Sequence, residues 1–184
     1  IRPGSDLLGA FFTANFSLEL ARHRNRVIIR DDFKDGEGVE TVLRRILYRD
    51  PSSDALWVRL YGLHDIPVYR AGSHGWERLV EQMETAHDAP DDPWVVIHTP
   101  PSLDALAQSP VDFDAILLSD MDEPSLLQCY AFAKLVRRRD PFARVSLVFA
   151  GPASDMQAGD LSSRFCAFAE ERLGVCVDYL GHLV

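Results

Sequence analysis

The chain of 184 residues, 47% hydrophobic and 26% charged, is long enough for one soluble domain with a sizeable core. Its net charge of −9 argues against general nucleic-acid binding, which needs a basic face, and no apolar run approaches the length that crosses a bilayer. Ile1-Arg2-Pro3-Gly4 does not lead into a signal peptide, and three scattered cysteines without metal spacing fit a reducing, cytoplasmic setting.

In chain order, Gly4-Ser5-Asp6-Leu7-Leu8-Gly9-Ala10-Phe11 leads into a helix predicted from Phe11 to His23. Val27-Ile28-Ile29 reads as a buried strand, and Val39 to Leu47 as a helix with Val42, Leu43, Ile46 and Leu47 on one side. Residues 49–54 and the Asp- and Pro-rich residues 88–93 read as surface loops. Between them, Gly75 to Ala86 places Trp76, Leu79, Val80 and Met83 at helical spacing. Trp94 to Ile97, Ala115 to Leu118 and Val145 to Phe149 are further strands, and Val175-Cys176-Val177 a last one, ending in Tyr179-Leu180-Gly181. These runs are continuous rather than alternating, as in strands covered on both faces.

Glu123 to Arg139 is the clearest helix. Pro124 suits its first turn, acidic residues stand at its start, arginines at its end, and Asp140-Pro141 stops it. A final helix from Ala158 to Leu173 carries Leu161, Phe165, Phe168, Ala169 and Leu173 on one stripe. Strands alternating with helices predict an α/β, three-layer, doubly wound fold with a mostly parallel sheet, in one domain over residues 1–184.

Several residues could carry chemistry, and each has a plainer reading. Gly4 and Gly9 are spaced as in a phosphate-binding loop, but such a loop also needs a lysine and a magnesium-binding hydroxyl. His98 reads as a metal ligand or proton carrier, or as a substitute for a lost aspartate. With no Cys or His at ligand spacing, the substitute is preferred. His74 and His87 read as solvated. Asp120, Asp122 and Glu123 need no metal as the acidic start of a helix. Arg137-Arg138-Arg139 fits a phosphate or acidic-partner patch, or the basic end of a helix, which is the default. Cys129, Cys166 and Cys176 read as small core residues.

The order of the segments resembles the MinD/ParA superfamily of deviant-P-loop ATPases, most closely its FlhG-like branch of flagellar-number regulators. The helix Thr13-Ala14-Asn15-Phe16-Ser17-Leu18-Glu19-Leu20-Ala21-Arg22 is similar to the family's first helix. Arg26 to Asp31 is similar to its next strand, Ile66 to Gly72 to its Pro-Gly segment, and Val95 to Leu103 to its Asp-Thr-Pro-Pro strand end. Glu123-Pro124-Ser125-Leu126 through Lys134 is similar to its Pro-Glu-Pro helix, and Leu180-Gly181 to its late Leu-Gly pair. On this resemblance the family's first strand would lie mostly before Ile1 and its last helices after Val184.

The departures fall on the chemistry. Ser5 and Ala10 stand where the family has lysines, and Phe11 where it has the magnesium-binding hydroxyl. Phe33 replaces the second carboxylate after Asp31, His98 the switch aspartate, and Ala150 the residue that commonly reads adenine. Joint loss of the charge clamp and the magnesium ligand removes what phosphoryl transfer depends on. The resemblance therefore implies a pseudo-ATPase with no catalytic residue, no metal and no bound cofactor. It would act as scaffold or regulator, through protein partners, in placing or assembling a cell-envelope machine such as a flagellum, pilus or exopolysaccharide secretion system. It would reach the inner membrane or cell pole indirectly and self-associate, if at all, without nucleotide. The alternative is an ATP- and magnesium-dependent switch of the same family with an unusual site.

Overall fold

The computed structural model describes residues 5–23, 27–33, 38–47, 68–70, 81, 93–100, 113–151 and 154–183. The helix expected from Gly75 to Ala86 lies outside them save for Glu81, which is helical. His74, His87 and residues 49–54 lie outside them, as do residues 88–92 of the second loop. The chain divides into two compact units, Ile1–Pro100 and Pro101–Val184.

The first unit runs α1 (Ser5–Arg22), β1 (Val27–Asp31), α2 (Val39–Leu47), β2 (Val68–Arg70) and β3 (Trp94–His98). Its three strands lie in the order β2-β1-β3 and pair in parallel. The central strand β1 is buried at every position, which explains its unbroken apolar run Val27-Ile28-Ile29. Helix α1 offers Ala10, Ala14, Leu18 and Ala21 at three- and four-residue spacing. Three alanines in that stripe allow a close approach to Val27 and Ile29, and Val39, Val42 and Leu43 of α2 complete the cluster.

One expectation needs correction here. Helix α1 begins at Ser5 rather than Phe11, so Gly9, Ala10 and Phe11 are helical. Its only glycine inside this extension costs about 1 kcal/mol of propensity, which Leu7, Leu8 and Ala10, all good helix formers, offset. The short strand β2 falls within the segment read as a Pro-Gly motif; three residues carry too little pattern to show themselves.

The second unit runs β4 (Ala115–Asp120), α3 (Glu123–Arg139), β5 (Val145–Ala150), α4 (Asp155–Leu173) and β6 (Val177–Leu183). The strand order is β4-β5-β6, again parallel throughout. Leu117, Leu147 and Phe149 of the sheet meet Ala133 and Val136 of α3 and Phe165 and Ala169 of α4. The helix ends are chemically closed. The Asp122 carboxylate accepts the Ser125 N–H at 2.9 Å, and Ser154 and Gln157 form a reciprocal capping box. Gly174 ends α4 at φ 62°, a left-handed turn that suits glycine.

Strand β6 extends past the expected run to Leu183. It does so through a bulge at Leu180, where Tyr179 pairs with Leu147 and Gly181 with Val148. Cys129 is buried as expected and Cys166 is half-buried, but Cys176 is exposed and is not a core residue. It precedes β6 by one residue, and its neighbours Val175 and Val177 take the inward positions. The α/β, parallel-strand class read from the sequence is therefore the one observed. Among the described residues no helix is long and apolar enough to cross a membrane.

Candidate functional site

Parallel pairing of β1 with β3 places Asp31 directly opposite His98, each the last residue of its strand. Carboxyl ends of parallel strands are where doubly wound folds hold ligands. Asp31 follows Val27 and Ile29 at period two, so its side chain leaves the sheet on the face that α1 and α2 cover.

There the carboxylate is 1% exposed and gathers three donors. Its Oδ1 lies 3.0 Å from His98 Nδ1 and accepts the Phe33 N–H at 3.3 Å. Its Oδ2 accepts the Val39 N–H at 2.8 Å, at the first residue of α2, so Asp31 also caps that helix from eight residues away. Burial alone would push the Asp31 carboxyl up. The His98 hydrogen bond and charge, with the Val39 and Phe33 amides, outweigh it and hold the carboxyl below its ordinary value of 3.8.

The imidazole of His98 is fixed from three sides. Nδ1 faces Asp31, and the Phe33 ring stacks on it at 4.4 Å between centroids and 27° between planes. Nε2 points at α1, where a Cβ built on Gly9 would stand 2.9 Å away. What disfavours a side chain at position 9 is this contact and not a turn. The backbone closes the knot, the Asp32 N–H donating to the His98 carbonyl at 2.7 Å. On the opposite face, Arg30 Nε donates to Asp32 Oδ1 at 2.6 Å, and both side chains are largely buried.

The site residues named from the sequence fall into distinct places. Gly9, Asp31, Phe33 and His98 come together in one interlocked cluster. Ala10 is fully buried, turned into the core beneath α1. Phe11 is 38% exposed. The helical extension explains this, because Ala10 takes the inward position and Phe11, one residue on, faces away. Ser5 opens α1, and Gly4 lies outside the described residues. Ala150 ends β5 in the second unit, 2% exposed, paired with Asp120 and Leu183.

The partnership of His98 with Asp31 escaped sequence reading. Sixty-seven positions separate them, and only the strand register joins them. The available signal was that each closes an apolar strand run. Among the described residues no group of three or more His, Cys, Asp or Glu is placed to hold a metal ion, and Asp122 of the acidic helix start serves as a cap.

An α-helix commits the N–H of each residue beyond its first four to a carbonyl four residues back. With α1 starting at Ser5, the amides of Gly9, Ala10 and Phe11 are so committed. A phosphate-binding loop needs such amides turned outward toward an anion. The cluster instead joins two strand ends, α1 and the start of α2 through one carboxylate and one imidazole.

No protein-family model matches the chain, and no curated protein matches it significantly. Among solved structures, a chain of the MinC:MinD cell division protein complex of Aquifex aeolicus is similar in fold, with a TM-score of 0.57 and 17% sequence identity. The match covers 95% of this chain and 75% of that one. The architecture is therefore MinD-like; at this identity the likeness concerns the fold alone.

Proposed function

We propose that this chain is a non-catalytic, FlhG-like member of the MinD/ParA class, a pseudo-ATPase that works as a scaffold or regulator through protein contacts. One observation carries the reading. The segment aligned with the phosphate loop is helical from Ser5, and its Gly9 is closed against His98, itself tied to Asp31. Phosphoryl transfer needs positioned cations and outward amides around the phosphates. Here Ala10 and Phe11 stand at the lysine and hydroxyl positions, and Ala10 faces the core.

The setting we infer is placement or assembly of a bacterial cell-envelope machine, a flagellum, pilus or exopolysaccharide secretion system, with recruitment to the membrane or pole through a partner. This rests on the resemblance of the segment order. The MinD-like fold is in keeping with it, as is the solved neighbour's occurrence in a complex of two different proteins.

Light scattering on the purified chain, with and without ATP and magnesium, tests the reading. The mass is expected to be the same under both conditions, because any self-association uses nucleotide-independent surface. A monomer that becomes a dimer only on adding ATP would establish the alternative, a nucleotide-driven switch.

A further inference from the structure

Helix α3 buries Cys129, Ala133 and Val136 against its sheet. At about 100° per residue, the opposite side of the helix carries Glu123, Leu127, Ala131, Lys134 and Arg138, all of them exposed. Leu127 is 60% exposed. The apolar part of this side is wider than one helix. At its edge the Tyr130 ring lies 5.2 Å from the Phe168 ring of α4, which is itself 47% exposed. The Arg172 guanidinium stands over Phe168 at 5.9 Å.

The order of these residues identifies what the face fits. Counted from the midpoint between Tyr130 and Ala131, Glu123 and Arg138 stand equally far away in opposite directions, and so do Leu127 and Lys134. The spacing therefore reads the same from both ends, while the charge changes sign. Glu123, Lys134 and Arg138 make no ion pair among the described residues. On the neighbouring outward side of α4, Arg164 and Arg172 are balanced by Asp160 and Glu171, the last paired with Arg172 at 3.6 Å, so α3 sets the charge pattern.

We propose that this face of α3 joins two copies of the chain, helix against antiparallel helix, in a dimer that needs no nucleotide. A two-fold axis at the midpoint sets Glu123 of each copy against Arg138 of the other and lays Leu127 along the apolar stem of Lys134. Ala131, small and central, lets the two helices approach and gives the Tyr130 ring of the other copy a place to pack. Burial of Leu127 and the aromatic pair drives the contact. The end charges, weak as exposed pairs, fix its direction and register. The net charge of −9 on each copy opposes approach from afar, but physiological salt screens charges beyond about 8 Å and spares touching pairs more.

Sedimentation velocity on the full chain, without nucleotide and from micromolar to hundreds of micromolar at physiological salt, tests the proposal. A reversible, concentration-dependent dimer is expected, and L127S should weaken it by about tenfold or more. E123R and R138E each set like charges together and should weaken it as well. An equal mixture of those two variants restores opposite charges at both ends of the helix pair, so it should associate more tightly than either variant alone. Thermal melting of each variant checks that these exposed changes leave the fold intact. A monomer at every concentration, a dimer indifferent to L127S, or a mixture no tighter than its components would overturn the proposal. All of this is read without ATP, so the dimer face and the pseudo-ATPase reading stand or fall separately.

Discussion

The carboxyl ends of the two sheets solve the same problem with different means. In the first unit the strand ends Asp31 and His98 are a buried polar pair, and one carboxylate caps α2, holds the imidazole and sets the room left for α1. In the second unit the helices that follow β4 and β5 are capped locally, by Asp122 and by the Ser154–Gln157 box, each within three residues. Local caps are nearly independent of one another. A shared carboxylate makes three elements depend on one side chain, so damage there should spread, whereas damage to a cap should stay in one helix.

The largest expected effect comes from Asp31→Ala. It strands the Val39 N–H and one imidazole nitrogen in a buried place, which should cost about 2–3 kcal/mol. Hydrogen exchange should show β1, β3 and the start of α2 losing protection while β5 keeps its own. The same group sets an acid response. Its folded value is depressed, so its contribution is complete above the ordinary value of 3.8 and is lost as pH falls through the lower folded value. Asp31→Asn should remove that part of the acid transition. Asp114 is depressed in the same direction by the Arg144 hydrogen bonds, but that pair is exposed and screened, so Asp114→Asn should change the acid limb far less.

Gly9→Ala should come next. Alanine gains about 1 kcal/mol in a helix interior, and overpacking costs about 1–3 kcal/mol. Because Asp31 and Phe33 hold the ring that the new methyl meets, the clash should win, for a net loss of about 1 kcal/mol in chemical denaturation. In a His98→Ala background the same change should turn into a gain, a reversal that a helix-only account of Gly9 does not give. Ser154→Ala should cost about 1 kcal/mol through the lost cap, confined to α4 and the second unit. The smallest effect is expected at Ser17. Its hydroxyl is fully buried in α1 without a hydrogen-bond partner among the described residues, so Ser17→Ala should stabilise by less than about 1 kcal/mol.

The same contrast explains what could be read before the fold was known. Helix α3 was legible to the residue, because Pro124, the acidic start, the terminal arginines and Asp140-Pro141 are all local signals. The start of α1 was not. Gly9 resembles loop punctuation, and only the imidazole packed against it, 89 positions away, shows why a helix keeps a glycine there. Asp31, Phe33 and His98 could each be named from the sequence, but their union depends on strand register, which spacing along the chain does not encode. The inward Ala10 and outward Phe11 follow from the earlier helix start.

Calorimetric titration of the purified chain with ATP in the presence of magnesium tests the central claim most directly, that the phosphate-loop segment is a closed helix and the chain a pseudo-enzyme. No heat of binding is expected up to millimolar nucleotide. Magnesium-dependent binding at micromolar concentration, on the order of −8 kcal/mol, would contradict it and return the chain to the nucleotide-dependent switches.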